Sequence, residues 1–248
     1  MTKNILKTAL VVLGAGSLMT GCDFEQPEAP CFVQDATNWY AKYDVVQEPR
    51  LADGTACTFS PGIGERLGVY KFVDPDNRAE PLITIRPTGL TALAGRDSGD
   101  PARQTALGRL SAEPDAEEFC SGTGFSVATV DAAATATAAA TSVTYEFSNV
   151  RVYSAPSAPG TQLTGELKYT RDGCTSTYVI RALWPAEGCI MGADRGSDPA
   201  NACGNGSGLN PDFDATCVAI ANCGSLNPDH DGCCVPAKPI PSFVASED

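Results

Sequence analysis

The tightest constraint on this chain is a pair of alternating apolar runs joined by one turn signal. Leu163, Gly165, Leu167 and Tyr169 share a parity, and Tyr178, Ile180, Ala182 and Trp184 share one beyond Arg171-Asp172-Gly173. A period of two puts one side of each run in a core and the other in water, the pattern of a half-buried strand. Asp-Gly supplies the positive φ that a tight hairpin needs, so the second run returns antiparallel to the first. Upstream, Val143, Tyr145 and Phe147 lie on one face, whereas Val150 and Val152 fall on the other parity. A β-bulge near Ser148-Asn149 would restore a single apolar face. These segments predict a β-meander.

Earlier stretches extend it. Trp39, Ala41, Tyr43 and Val45 alternate, and Pro49 with Asp53-Gly54 ends the strand in a turn. Residues 68–73 predict another strand, closed by Asp74-Pro75. The β-branched run Leu82-Ile83-Thr84-Ile85-Arg86, bounded by Pro81 and Pro87, reads as a short edge strand, because proline cannot donate into a ladder. Residues 95–103 read as polar loop, and residues 105–110 are too short to assign. Phe125, Val127 and Thr129 alternate again. The Ala/Thr-rich residues 131–142 have no apolar stripe, which predicts an exposed loop or a marginal helix capped by Asp131. The expected class is mainly β: an antiparallel meander completed as a sandwich-like or open-barrel domain, with a disulfide-rich, loop-rich C-terminal segment.

The N-terminus has a different character. Lys3 and Lys7 precede an apolar run over residues 8–19, too short to span about 30 Å of hydrocarbon as a helix. Small residues follow, as at a secretory cleavage site. Leu18-Met19-Thr20-Gly21-Cys22 resembles the lipobox of bacterial lipoproteins, with Met19 departing from the usual leucine. The resemblance implies a signal peptide over 1–21, cleavage before Cys22, and lipid on the Cys22 sulfur. Several acyl chains hold a membrane far more firmly than a single one. Residues 23–30, with two prolines, form a tether of roughly 27 Å at full extension. The resemblance stops there, and the body, read as a β domain over 31–188 and a Cys/Asn/Asp-rich segment over 189–248 packed on it, resembles no family.

Loss of Lys3 and Lys7 with the signal takes the formal charge from −13 to −15. So acidic a body disfavours nucleic acid as a partner. Lipidation of Cys22 would leave ten cysteines: Cys31, Cys57, Cys120, Cys174, Cys189, Cys203, Cys217, Cys223, Cys233 and Cys234. An even number in an exported chain reads as a disulfide framework whose pairing sequence alone does not reveal. Zinc would need regular cysteine spacing or several histidines, and His230 is the only histidine. Adjacent Cys233 and Cys234 are expected to bond to different partners, since a vicinal bridge strains the peptide between them.

The C-terminal segment holds a duplication. Leu209-Asn210-Pro211-Asp212 and Leu226-Asn227-Pro228-Asp229 each follow a Cys-Gly. Asn227, Asp229 and Asp231 before Gly232 resemble the opening of an EF-hand-type calcium loop, although Lys238 stands where the bidentate glutamate belongs. The competing reading is a pair of Asx-turns between disulfides. Glu113, Asp115, Glu117 and Glu118 form an acidic stretch with no organising partner in sequence, read as a solvated loop. His230 reads as a solvated residue on a turn tip. No nucleophile elbow, phosphate loop or dinucleotide fingerprint occurs, and no motif implies an organic cofactor. Two functions follow as expectations. One is a lipid-anchored envelope or surface protein with a structural or partner-binding role. The alternative is a carboxylate-dependent hydrolase acting on an envelope or extracellular polymer. The outer membrane is the expected location; Asp23 resembles an inner-membrane retention signal, which leaves the periplasmic face of the inner membrane as the alternative.

Overall fold

A computed structural model describes residues 30–73, 81–220, 223 and 227–245. Nine strands make the main sheet: β1 (Ala36–Arg50), β2 (Gly64–Val73), β3 (Pro81–Pro87), β4 (Ala106–Leu110), β5 (Phe119–Thr123), β6 (Ala128–Ala132), β7 (Thr141–Tyr153), β8 (Gln162–Arg171) and β9 (Cys174–Leu183). They lie in the order β5-β4-β3-β2-β1-β9-β8-β7-β6, and β5 also pairs with β7. That pairing closes the sheet, so eight strands form an antiparallel barrel with β6 beside one half of β7.

One strand makes closure possible. The first half of β7 pairs with β6, from Thr141 opposite Ala132 to Tyr145 opposite Ala128. Its second half pairs with β5, from Val150 opposite Gly122 to Tyr153 opposite Phe119. Between them the register against β8 slips from Ser148 to Arg151, and Asn149 takes φ 49°. A bulge bends and twists its strand, which lets β7 serve two neighbours. The β8–β9 hairpin turns at Asp172 (φ 50°) and Gly173 (φ 83°), as its sequence predicts.

The barrel is filled by its inward parity: Trp39 and Ala41, Leu67 and Val69, Ile83 and Ile85, Phe147, Leu163 and Leu167, and Ile180. Burying a large aliphatic side chain contributes about 1.5–3 kcal/mol. Outward positions carry charge, among them Lys42 with Asp44 and Lys168 with Glu146. This distribution is the reverse of a membrane-spanning barrel, which is apolar outside. No helix among the described residues is long and apolar enough to cross a membrane.

Several local expectations are corrected. The run 82–86 is not an edge strand, because β3 has β2 on one side and β4 on the other. Its prolines sit at the two ends, where a missing N–H costs least. Residues 105–110 supply β4. Of the 125–129 alternation, Ala128 and Val130 rather than Val127 face inward. The Phe125 ring instead covers Gly108 and Gly122, where a Cβ would leave it no room. Asp131 caps no helix; it lies in β6 and accepts the Ser142 hydroxyl at 2.7 Å. Residues 133–140 are an exposed loop, and residues 95–103 contain parts of two short 3-10 turns, Ala94–Arg96 and Pro101–Gln104. The closing Asp74-Pro75 lies outside the described residues.

A second sheet, β10 (Gly188–Cys189), β11 (Ala215–Val218) and β12 (Gly232–Pro236), has the order β10-β12-β11. Leu209, Phe213 and Ile240 pack it against Phe119, Tyr153 and Leu183 of the barrel. The ten cysteines pair as Cys31–Cys120, Cys57–Cys174, Cys189–Cys217, Cys203–Cys234 and Cys223–Cys233. The first two tie opposite ends of the barrel, and the other three lie within the C-terminal segment.

Candidate functional site: a carboxylate among tyrosines at the barrel mouth

Glu65 opens β2 on the same parity as Leu67 and Val69, so its acid points to the side the rest of the strand keeps apolar. Gly64 sets it there. With φ 149° it approaches β1 so closely that a Cβ would collide with the Ala41 carbonyl. Charge at such a position needs hydrogen bonds. Three short donors supply them. The Tyr43 and Tyr145 hydroxyls each donate to Oε1 at 2.7 Å, and the Gly89 N–H donates to Oε2 at 2.6 Å. The Thr88 hydroxyl lies 3.2 Å from Oε2, but its one proton has a closer acceptor in the Arg66 carbonyl at 2.8 Å. Thr88 and Gly89 belong to a single helical turn, α1 (Thr88–Thr91), which follows β3 directly. Three short donors occupy most of the roughly four lone-pair sites of a carboxylate.

Around it stand Tyr43, Phe59, Tyr145, Tyr169 and Tyr178, with Arg171 at the rim and a cavity of about 170 Å³ between them. Two ring pairs form the wall: Tyr43 and Tyr178 at 5.4 Å, and Tyr145 edge-on to Tyr169 at 5.0 Å. Burial, with the Glu65 charge second, pushes the Tyr43 and Tyr145 hydroxyls well above the ordinary phenol range. Burial also lifts Tyr169 to about 12, against the opposing pull of the Arg171 guanidinium. These phenols are therefore fixed donors. Tyr178 accepts from the Gly62 N–H at 3.2 Å and from Ser176 Oγ at 2.9 Å, which leaves its own proton to donate. The Tyr169 side chain lines the cavity and makes no side-chain hydrogen bond among the described residues.

The arrangement offers a hydrogen-bonded carboxylate beside an aromatic wall, and among the described residues no second acid lines the cavity with Glu65. The acidic stretch also has an organiser that its sequence does not reveal. Arg151 donates to Asp115 Oδ2 and Glu117 Oε2, both at 2.9 Å, and Tyr153 donates to Glu118 at 3.1 Å. The Phe119 N–H and then Arg151 hold the Asp115 carboxyl below its ordinary value, against burial. These contacts order a loop, and a carboxylate-dependent hydrolase receives no support from them.

Cys22 lies outside the described residues. Asn227 Oδ1 accepts the Asp229 N–H at 3.0 Å, as Asn210 Oδ1 accepts the Asp212 N–H in the first copy, both Asx-turns. Asp231 Oδ1 accepts the Met191 N–H at 2.7 Å. Among the described residues the only close cluster of metal-ligating side chains is Cys189, Cys203 and Cys234, whose sulfurs are all in disulfides. His230 is half-buried rather than solvated, with Nε2 3.1 Å from Asn201 Oδ1. Glu65 escaped the sequence reading. Its signal was there, an acid on the buried parity of an apolar strand.

No solved structure matches this chain. The curated "Putative lipoprotein MlpA" of Myxococcus xanthus is 51% identical over 244 residues, which cover 98% of this chain and all of that protein. The family model for MlpA matches residues 37–185, which run from the start of β1 to just beyond β9. That match overturns the expectation that the body resembles no family. The chain belongs to the MlpA family.

Proposed function

We propose that this chain is a lipid-anchored binding protein of the cell envelope, held by Cys22 and presenting the barrel mouth to a ligand. Support for the anchor comes from the lipobox and from the full-length relative's name as a lipoprotein. The observation that carries the reading is the opposition of tether and mouth. Lys71 Nζ donates to the Cys31 carbonyl at 2.5 Å, at the far end of β2 from Glu65. Six residue steps along the strand separate the two, about 20 Å at roughly 3.3 Å per residue. The tether therefore leaves from the end opposite the cavity, and the Cys57–Cys174 bridge lies on the mouth side. The outer membrane is the location proposed, with the periplasmic face of the inner membrane as the alternative.

Metabolic labelling with radioactive palmitate tests the anchor. Label on the wild-type chain and none on Cys22→Ala is the expected result, and label retained by the variant would sink the reading. Density-gradient separation of the two membranes tests the location. Co-sedimentation with inner-membrane markers would reassign it.

A further inference from the structure

We propose that the mouth cavity takes a quaternary ammonium group whose ligand carries an anion a few bonds away, as in phosphocholine. The inference rests on the mouth being the binding surface. Three features of the site argue for this chemistry.

The first is charge on an acceptor already in use. Glu65 has no ion-pair partner among the described residues, and its oxygens already hold Tyr43, Tyr145 and Gly89 at 2.6–2.7 Å. A primary ammonium would have to compete with these donors for its lone pairs. A fully N-alkylated cation has no N–H to satisfy and feels only the field.

The second is the wall. Tyr43, Phe59, Tyr145, Tyr169 and Tyr178 line the cavity, and aromatic faces attract quaternary ammonium groups through the ring quadrupole. Two of these phenols donate to Glu65, which draws negative charge toward the rings. The size also suits. A cavity of about 150 Å³ accepts benzene, and this one, at about 170 Å³, has room for a trimethylammonium head.

The third is the rim. Arg171 lines the cavity with its guanidinium 5.7 Å from the Phe59 ring centre. A bare cation would be repelled there, whereas the phosphate or carboxylate of a zwitterion would be met. Arg171 stays half-exposed and shares only a loose 3.6 Å contact with Asp172, so it can turn to the ligand.

The test is calorimetric titration of the lipidated protein in a non-ionic maltoside detergent. The expected result is saturable binding of phosphocholine, with 3,3-dimethylbutyl phosphate, which replaces N⁺ by carbon, at least tenfold weaker. Phosphoethanolamine should be weaker by a similar factor. Tyr169→Leu should lose at least fivefold, and Tyr169→Phe, which keeps the ring, should recover most of it. Phosphatidylcholine vesicles, competed by free phosphocholine, separate a lipid head group from a soluble zwitterion as the source. Equal binding of phosphocholine and its carbon isostere would overturn the cation assignment while leaving the mouth as a binding surface. Binding of neither would overturn the assignment of a zwitterionic ammonium ligand to the mouth.

Discussion

At the scale of single residues, the molecule turns on one acid kept inside a barrel by phenols. Tyr43 and Tyr145 donate to Glu65 only while protonated, and burial with the Glu65 charge keeps them so. The consequence for stability has a definite sign. An unfolded tyrosine ionises near 10 and the buried ones above it, so between those values the folded state binds more protons. Their contribution is therefore complete below about pH 10 and is lost as pH rises through the folded values. Absorbance titration of tyrosinate should show Tyr40 and Tyr169 ionising near 12, and Tyr43 and Tyr145 only as the barrel unfolds. A single step near 10 covering all seven tyrosines would contradict the burial described for the mouth. Sequence placed Tyr43, Tyr145, Tyr169 and Tyr178 on inward parities but could not show that they converge. Convergence depends on register: Tyr145 stands opposite Tyr169, Tyr169 opposite Ser176, and Tyr43 opposite Ile180.

At the scale of elements, β7 is the strand that decides the architecture. Its parity break was readable because Phe147 and Val150 cannot face one core without an extra residue between them. What that bulge accomplishes was not readable, since pairing with β5 on one half and β6 on the other depends on strands distant in sequence. The same lack of long-range information made β3 look like an edge, because flanking prolines restrict a strand's ends without saying who lies beside its middle. The bulge gives a direct test. Asn149 sits in the left-handed region, which asparagine tolerates and β-branched residues resist. Asn149→Val should cost about 1–2 kcal/mol, and Asn149→Gly should be close to neutral. A shifted urea midpoint at unchanged slope would register the cost. If valine proved harmless there, the bulge would not be the constraint described.

At the scale of the whole molecule, two different means hold the chain. The barrel has a continuous apolar interior, and its two bridges close separations of 89 and 117 residues. Loops of that length correspond to about 4–5 kcal/mol each in the chain-entropy account. The C-terminal sheet has strands of two, four and five residues, too little on its own, and relies on three bridges of shorter span. Denatured without reductant, the mature protein should show no reactive thiol. Under graded reduction, hydrogen exchange should rise first over residues 189–236 and later over β7 to β9. Barrel amides exchanging first would invert that order of dependence. The even cysteine count was legible once Cys22 was set aside for lipid. The pairing was not, because it follows from which distant segments each part of the fold brings together, the barrel for two bridges and the C-terminal segment for three. The proposed arrangement fastens this barrel to a membrane at Cys22 by the end opposite its tyrosine-lined mouth. Intact-mass and N-terminal peptide analysis of the protein purified from membranes tests the fastening most directly. The expected product is a chain that begins at Cys22 and carries thioether-linked diacylglycerol. An uncut chain, or one beginning elsewhere with Cys22 unmodified or absent, would contradict it.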